Sequence, residues 1–264
     1  MLWRARPRLY KLQDHIGAAG LVAEYFAADS PRIFSSRRSR WALKSLENKD
    51  PTTAFGNNRG VPLPEWHEED VLTVGGLQFE LNKIHAHQTG DYLIFLDKNT
   101  THNSDQGIDT SVVMITDVVF PGWAPFFSLA VTQHVGGYYE ALDTINEYEF
   151  DVLVGGHLSR LGTKKDVQVK VDFFADVLAG TESGIATVTF ADVLLGTGIT
   201  DPSNRNVGNT WLAINEYVEQ VVDECEAYVL DSAARGRDWL EELAGLEVTL
   251  RSQCFAVQSF VRTG

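Results

Sequence analysis

Val152-Leu153-Val154-Gly155-Gly156-His157 is a short apolar run that ends in two glycines and a histidine. It reads as a strand whose end carries a polar side chain, with a helix to follow. The same theme occurs upstream, where Val112 to Ile115 leads into Thr116-Asp117. Polar groups at strand ends sit where open sheets bind ligands. Between the two runs, Val135, Tyr139, Leu142 and Ile145 recur at helical spacing, and beyond His157 the segment Thr163-Lys164-Lys165-Asp166 is a capping signal for another helix. Strands alternating with helices point to α/β layers.

Outward from this centre the pattern changes. Val71 to Val74, the turn Gly75-Gly76 and Leu77 to Ile84 read as a hairpin, with Phe79 and Leu81 alternating against polar neighbours. Tyr92 to Leu96 and Ser111 to Thr116 are two more strands, and the polar stretch Asp97 to Thr110 between them is expected to be a surface loop. From Ser35 to about Glu69, Arg37-Arg38, Asn57-Asn58 and Pro62/Pro64 suggest a helix remnant followed by a long loop of the kind that borders active sites. Leu21, Val22, Tyr25 and Phe26 read as a helix with tiny residues in its first turn. From about Gly184 the strand signal fades, and 191–195, 210–230 and 239–243 look helical. Trp211, Ile214, Val218, Val221 or Val222, and Cys225 give the second of these one apolar face.

The 264 residues, 44% of them hydrophobic, are enough for one well-filled domain with an appendage. Asp and Glu number 36 against 22 Lys and Arg, a formal charge of −14, so a phosphate backbone is repelled and nucleic acid is excluded as a partner. Arg4, Arg6 and Arg8 are not followed by the apolar stretch of a secretory signal, and no run reaches the ~20 residues of a membrane span. A soluble, cytoplasmic protein is expected. Cys225 and Cys254 read as buried thiols, with a disulfide between them as the alternative. Ser35-Ser36, Ser104 and Ser259 lack a nucleophile-elbow pattern.

Four segments together carry a family resemblance. Asp14-His15-Ile16-Gly17-Ala18-Ala19-Gly20, then His85-Ala86-His87-Gln88-Thr89-Gly90-Asp91, then Ile115-Thr116-Asp117, then Gly155-Gly156-His157 follow in order. They resemble the metallo-β-lactamase superfamily, in which His-x-His-x-Asp-His ends a strand and later histidines and a bridging aspartate complete a metal site. The resemblance implies a four-layer αββα sandwich and a small-molecule substrate. It assigns Asp14, His15, His87, Asp117 and His157 as metal ligands and Asp14 as catalytic. The implied activity is hydrolysis of an ester, thioester, lactone or similar bond by metal-bound hydroxide. His85 is expected to be a strand residue rather than a ligand.

The departures are as informative. The first two histidines of the signature should fall at residues 10 and 12, where Tyr10 and Leu12 stand. One Zn2+ rather than two is therefore implied, with Mn2+ or Fe as alternatives, and an impaired enzyme or an inactive scaffold that binds metal or protein. Few residues precede the signature, so the resemblance implies an incomplete N-terminal sheet, whose open edge a homodimer partner would cover. The expected division is a metallo-β-lactamase-like domain over 1–183 and a helical C-terminal appendage over 184–264. His134 reads as a solvated helix-end residue. Phe120, Trp123, Phe126 and Phe127 read as core packing under a loop, or else as an apolar wall for substrate.

Overall fold

The computed structural model describes residues 25–26, 34–35, 37, 52–53, 56–57, 65–66, 69–88, 91–157 and 160–263. The chain divides into two units, Met1–Leu72 and Thr73–Gly264. In the first, the described strands are β1 (Phe34–Ser35), β2 (Thr52–Thr53), β3 (Gly56–Asn57) and β4 (Glu65–Trp66). β1 pairs with β4 in parallel and β2 with β3 antiparallel. Of the expected helix remnant only Arg37 is described, and it is helical, while two-residue strands stand within the stretch expected to be a loop. Pairs of two residues are too short to show the alternation by which a strand is recognised. The remaining layers of the expected sandwich, Leu21 and Val22, and Tyr10, Leu12, Asp14 and His15 lie outside the described residues, while Tyr25 of the helix expected after Gly20 is helical.

A five-stranded mixed sheet organises the second unit. Its order is β5 (Val71–Val74), β6 (Leu77–Ile84), β7 (Asp91–Leu96), β8 (Val112–Met114) and β9 (Val152–Val154). β6 and β7 run antiparallel with Leu81 opposite Ile94, and β7 and β8 antiparallel with Phe95 opposite Val113. β8 and β9 are parallel, Met114 opposite Val154. The hairpin, the strands and the α/β alternation thus match the sequence reading.

Asp97 to Thr110 is not only a surface loop. It holds helix α1 (Thr101–Asp105), started by the Thr100 side chain, which accepts from the Asn103 amide. Asn103 is fully buried: its Nδ2 donates to the carbonyls of Gln78 (3.0 Å) and Asp97 (2.7 Å), and its Oδ1 accepts from the Gln78 amide (2.8 Å). A fully bonded amide explains how a polar residue stands inside.

Helix α2 (Val135–Glu147) crosses from β8 toward β9, and α3 (Lys164–Thr187) follows β9 behind the Thr163/Asp166 capping box. Then come α4 (Phe190–Gly196), α5 (Thr210–Leu230), a 3-10 turn (Asp231–Arg235), α6 (Trp239–Glu242) and α7 (Leu246–Thr263). One apolar cluster joins Leu93, Val113, Ile115 and Leu153 of the sheet region to Leu142 and Ile145 of α2. It continues through Phe173, Phe174 and Val177 of α3, Val222 of α5, and Leu250 and Val257 of α7. Each such side chain contributes about 1.5–3 kcal/mol through burial. Cys225 and Cys254 lie in this cluster and form a disulfide between α5 and α7, which replaces the expected thiols. Among the described residues no single helix is long and apolar enough to cross a membrane. The bent pair α3–α4 meets the length and composition test jointly, and α3 gives its apolar face to the core.

Candidate functional site

Three of the predicted ligand residues stand at the same offset from a strand end. His87 lies three residues beyond Ile84, Asp117 three beyond Met114 and His157 three beyond Val154. Two antiparallel steps make β6 parallel to β8, and β9 is parallel to both, so all three strands end at one edge of the sheet. That edge is where the geometry of parallel strands leaves a crevice for ligands.

The backbone beyond β8 and β9 stays in register: Ile115 N donates to the Val154 carbonyl (3.0 Å) and Asp117 N to that of Gly155 (3.2 Å). Asp117 then takes φ +62°, a left-handed conformation that aspartate tolerates better than most residues. Opposite it, a Cβ on Gly155 would stand 2.4 Å from the Val119 carbonyl oxygen, and Gly156 has φ +88°. The two glycines let the strands approach and turn His157 toward the aspartate.

The Asp117 carboxylate is buried between two imidazoles. His157 Nε2 lies 3.0 Å from Oδ1, and His87 Nδ1 lies 3.5 Å from Oδ2. His87 is buried, whereas the His157 side chain is 37% exposed, so solvent reaches the site from the His157 side. The other nitrogen of His87, Nε2, is 2.7 Å from the Ala130 carbonyl. A carbonyl only accepts, so Nε2 carries the proton, and in the neutral ring Nδ1 presents a lone pair toward Asp117. Two electron-rich atoms facing each other call for a cation between them, either a proton or a metal ion.

His87 is held by the segment Phe127–Val131, one turn in which Ser128, Leu129, Ala130 and Val131 all have φ between +52° and +58°. This left-handed turn supplies the Ala130 carbonyl. Just beyond it, Thr132 Oγ1 donates to the Ala86 carbonyl (2.9 Å) and Gln133 N to that of His87 (3.0 Å). On the other flank, the buried Tyr138 hydroxyl donates to the Val118 carbonyl at 2.6 Å. Burial first, and the nearby Asp117 carboxylate second, push the Tyr138 phenol well above its usual range, so it stays a neutral donor.

Phe120 stacks on the His157 ring (6.3 Å between centroids, 16° between planes), and Phe126 meets the same ring edge-on at 6.4 Å. Phe120 is buried, while Trp123, Phe126 and Phe127 are exposed. Of the four aromatics, one is core and three form a rim. His134 is an exposed helix-end residue, as expected, and also the N-cap of α2, its Nδ1 accepting from the Gly137 amide at 2.7 Å. His85 is exposed just past the end of β6. Tyr138, Ala130 and Gln253, which bonds to the left-handed turn, were not singled out from sequence.

Asp117 is thus shared by two pairs, but among the described residues no group of three or more His, Cys, Asp or Glu is arranged to hold a metal ion. The donor types do fit a metal: imidazole nitrogen and carboxylate oxygen are the ligands of zinc, with manganese and iron also served.

No family model matches the chain, and no curated protein matches it. The chain is similar to the crystal structure of the BLEG-1 B3 metallo-beta-lactamase at 19% identity, covering 58% of this chain and 68% of that one with a TM-score of 0.39. It is similar to a B3 metallo-beta-lactamase with an active-site glutamic acid at 15% identity, covering 59% of this chain and 63% of that one, TM-score 0.37. For a metallo-beta-lactamase family protein from Thermus thermophilus the figures are 15% identity, 84% and 71% covered, and TM-score 0.41. Each of these is a metallo-beta-lactamase family structure.

Proposed function

We propose that the chain is a metal-dependent hydrolase of the metallo-β-lactamase superfamily, acting on an ester, thioester, lactone or similar bond of a small molecule. The observation that carries this reading is the convergence of His87 and His157 on the buried Asp117 at one sheet edge. The residues assigned to one Zn2+ are Asp14, His15, His87, Asp117 and His157, of which His87, Asp117 and His157 stand together here, while Asp14 and His15 lie outside the described residues. When bound, such an ion supplies Lewis acidity, lowering the pKa of water to about 7. The protein's own groups do the rest. Asp117 holds negative charge between the imidazoles, Ala130 keeps the His87 proton on Nε2, and Asp14 is the carboxylate assigned to take up a proton. Phe120 and Phe126 orient His157 and keep water off its faces, while Trp123, Phe126 and Phe127 offer an apolar rim to the acyl part of a substrate.

A second reading, a member without activity that serves as a metal- or protein-binding scaffold, rests on Tyr10 and Leu12 in place of the signature's first two histidines. Metal analysis and a panel of ester, thioester and lactone substrates separate the two. About one equivalent of zinc, lost in Asp117→Asn and His157→Ala along with hydrolysis, is the expected result. Metal without turnover supports the scaffold, and neither overturns the metal reading. Cytoplasmic placement, expected from the N-terminal residues, stands against the Cys225–Cys254 disulfide, since such bonds persist in oxidising compartments. Thiol titration of the protein purified under alkylating conditions decides between them.

A further inference from the structure

Gln253 is fully buried on α7, far from the sheet edge in sequence, yet every bond its amide makes goes to one segment. Its Nε2 donates to the carbonyls of Pro125 (2.7 Å) and Phe126 (3.2 Å), and its Oε1 accepts from the Leu129 amide (2.6 Å). Next to it, Ser252 Oγ accepts from the Ser128 amide at 2.9 Å. These are the backbone groups that open the left-handed turn. In a right-handed helix of the same sequence the amides of Ser128 and Leu129 would point elsewhere, so the α7 side chains recognise the turn only in its left-handed form.

We propose that Gln253 is the positioning residue of the site: by fixing the left-handed turn it aims the Ala130 carbonyl at His87 Nε2 and so holds the ring with its Nδ1 edge facing Asp117. The argument runs through one continuous set of contacts, from Gln253 to Leu129, Ala130, His87 and Asp117. Partners that orient a ligand histidine through its second nitrogen are a general means of setting ligand geometry. No other described hydrogen bond reaches the Leu129 amide from a side chain, so the turn's handedness is decided here. The assignment rests on the proposed metal reading only for its consequence, since the Ala130 carbonyl faces His87 Nε2 with or without a bound ion.

The test is nitrogen NMR of the full chain labelled with 15N-histidine and stripped of metal with a chelator, with the His87 signals assigned by their loss in His87→Gln. The native chain is expected to show a His87 Nε2–H protected from solvent exchange by the Ala130 carbonyl. Gln253→Leu should broaden this signal toward that of a freely exchanging imidazole N–H. Val257→Ala, which removes buried volume from the same face of α7 one turn further on, should leave it intact. Gln253→Glu, able to accept from Leu129 but not to donate to Pro125 and Phe126, should fall between, and serves in place of the leucine variant if that does not fold. A native-like protected Nε2–H in both Gln253 variants overturns the proposal, as does an equal broadening in Val257→Ala. Adding Zn2+ tests the metal reading separately. A zinc-dependent shift of Nδ1 in the native chain, with affinity about 10- to 100-fold weaker in Gln253→Leu, is expected. No zinc shift at all would sink the metal reading while leaving the result on the His87 Nε2 hydrogen bond to stand.

Discussion

Asp117 and His157 sit beyond two parallel strands whose backbones remain bonded to each other, whereas His87 takes its ring orientation from a turn bonded to a residue 124 positions downstream of Leu129. The first pair is placed by local means: register, equal offsets and two glycines. The second placement is remote, and needs α7 to be docked before the turn has a reason to be left-handed. The difference teaches that one cluster of side chains draws on two separate stabilities, and that damage to either should leave a distinct signature.

The strongest blow to the local half is Gly155→Val. A Cβ there meets the Val119 carbonyl at 2.4 Å, and this backbone atom has no rotamer by which to give way. Loss of about 3 kcal/mol in urea unfolding, the upper end for overpacking, is expected. A loss under 1 kcal/mol would show that the strand ends separate easily, and the comparison would fail.

The remote half is probed by removing the disulfide with Cys225→Ser and Cys254→Ser together. A separation of 29 residues corresponds to about 3.6 kcal/mol in the chain-entropy view. Because Cys254 adjoins Gln253, hydrogen exchange should rise in Phe127–Val131 before it rises in β8 and β9. Equal acceleration in both would merge the two halves into one cooperative unit.

Lys170 sharpens the picture with pH. It is buried on α3 and its ammonium group donates to the Trp123 carbonyl, in the loop that joins Asp117 to the turn. Burial lowers its pKa from 10.5 to about 7, with Asp166 pulling the other way. The unfolded chain therefore binds this proton up to about pH 10.5 and the folded chain only to about pH 7. Between those values the unfolded state holds more protons, so stability rises with pH, by at most about 1.4 kcal/mol per pH unit, and its lowest contribution lies below pH 7. Unfolding curves at pH 7, 8 and 9 should show this slope in the native chain, and Lys170→Met should remove it. A slope unchanged in the variant would mean that Lys170 is not its source.

The same division governs what could be read from the residues. Asp117 and His157 were legible because an apolar run, a short offset and a polar residue lie together in sequence. His87 was legible as a candidate through its neighbours, but what holds it was not. Phe127-Ser128-Leu129-Ala130-Val131 contains no glycine, and nothing local marks it as left-handed. Helix α7 escaped notice for a related reason: its inner face carries the buried Gln253 and Gln258 among Leu250, Cys254 and Val257, which breaks the apolar count. The disulfide follows from how α5 and α7 dock, which two cysteines in a sequence do not disclose. Asn103 was hidden likewise, because its burial depends on carbonyls of two other segments.

The left-handed turn has a consequence for protein engineering. Each residue with a Cβ in that conformation costs about 1–2 kcal/mol, and glycine, which lacks the clash, gives back part of the gain through its freer unfolded chain. Val131, at φ +58° and half exposed, is β-branched and has little burial to lose. Val131→Gly should therefore raise the melting temperature by about 2–4 °C, the equivalent of about 1 kcal/mol in a chain of this size. A calorimetric scan showing a lower melting temperature would mean that the turn relaxes to right-handed when free to choose. A higher one would mark this surface position as a place where mirror-image backbone geometry, and even a D-amino acid, suits the fold better than the residue the chain carries.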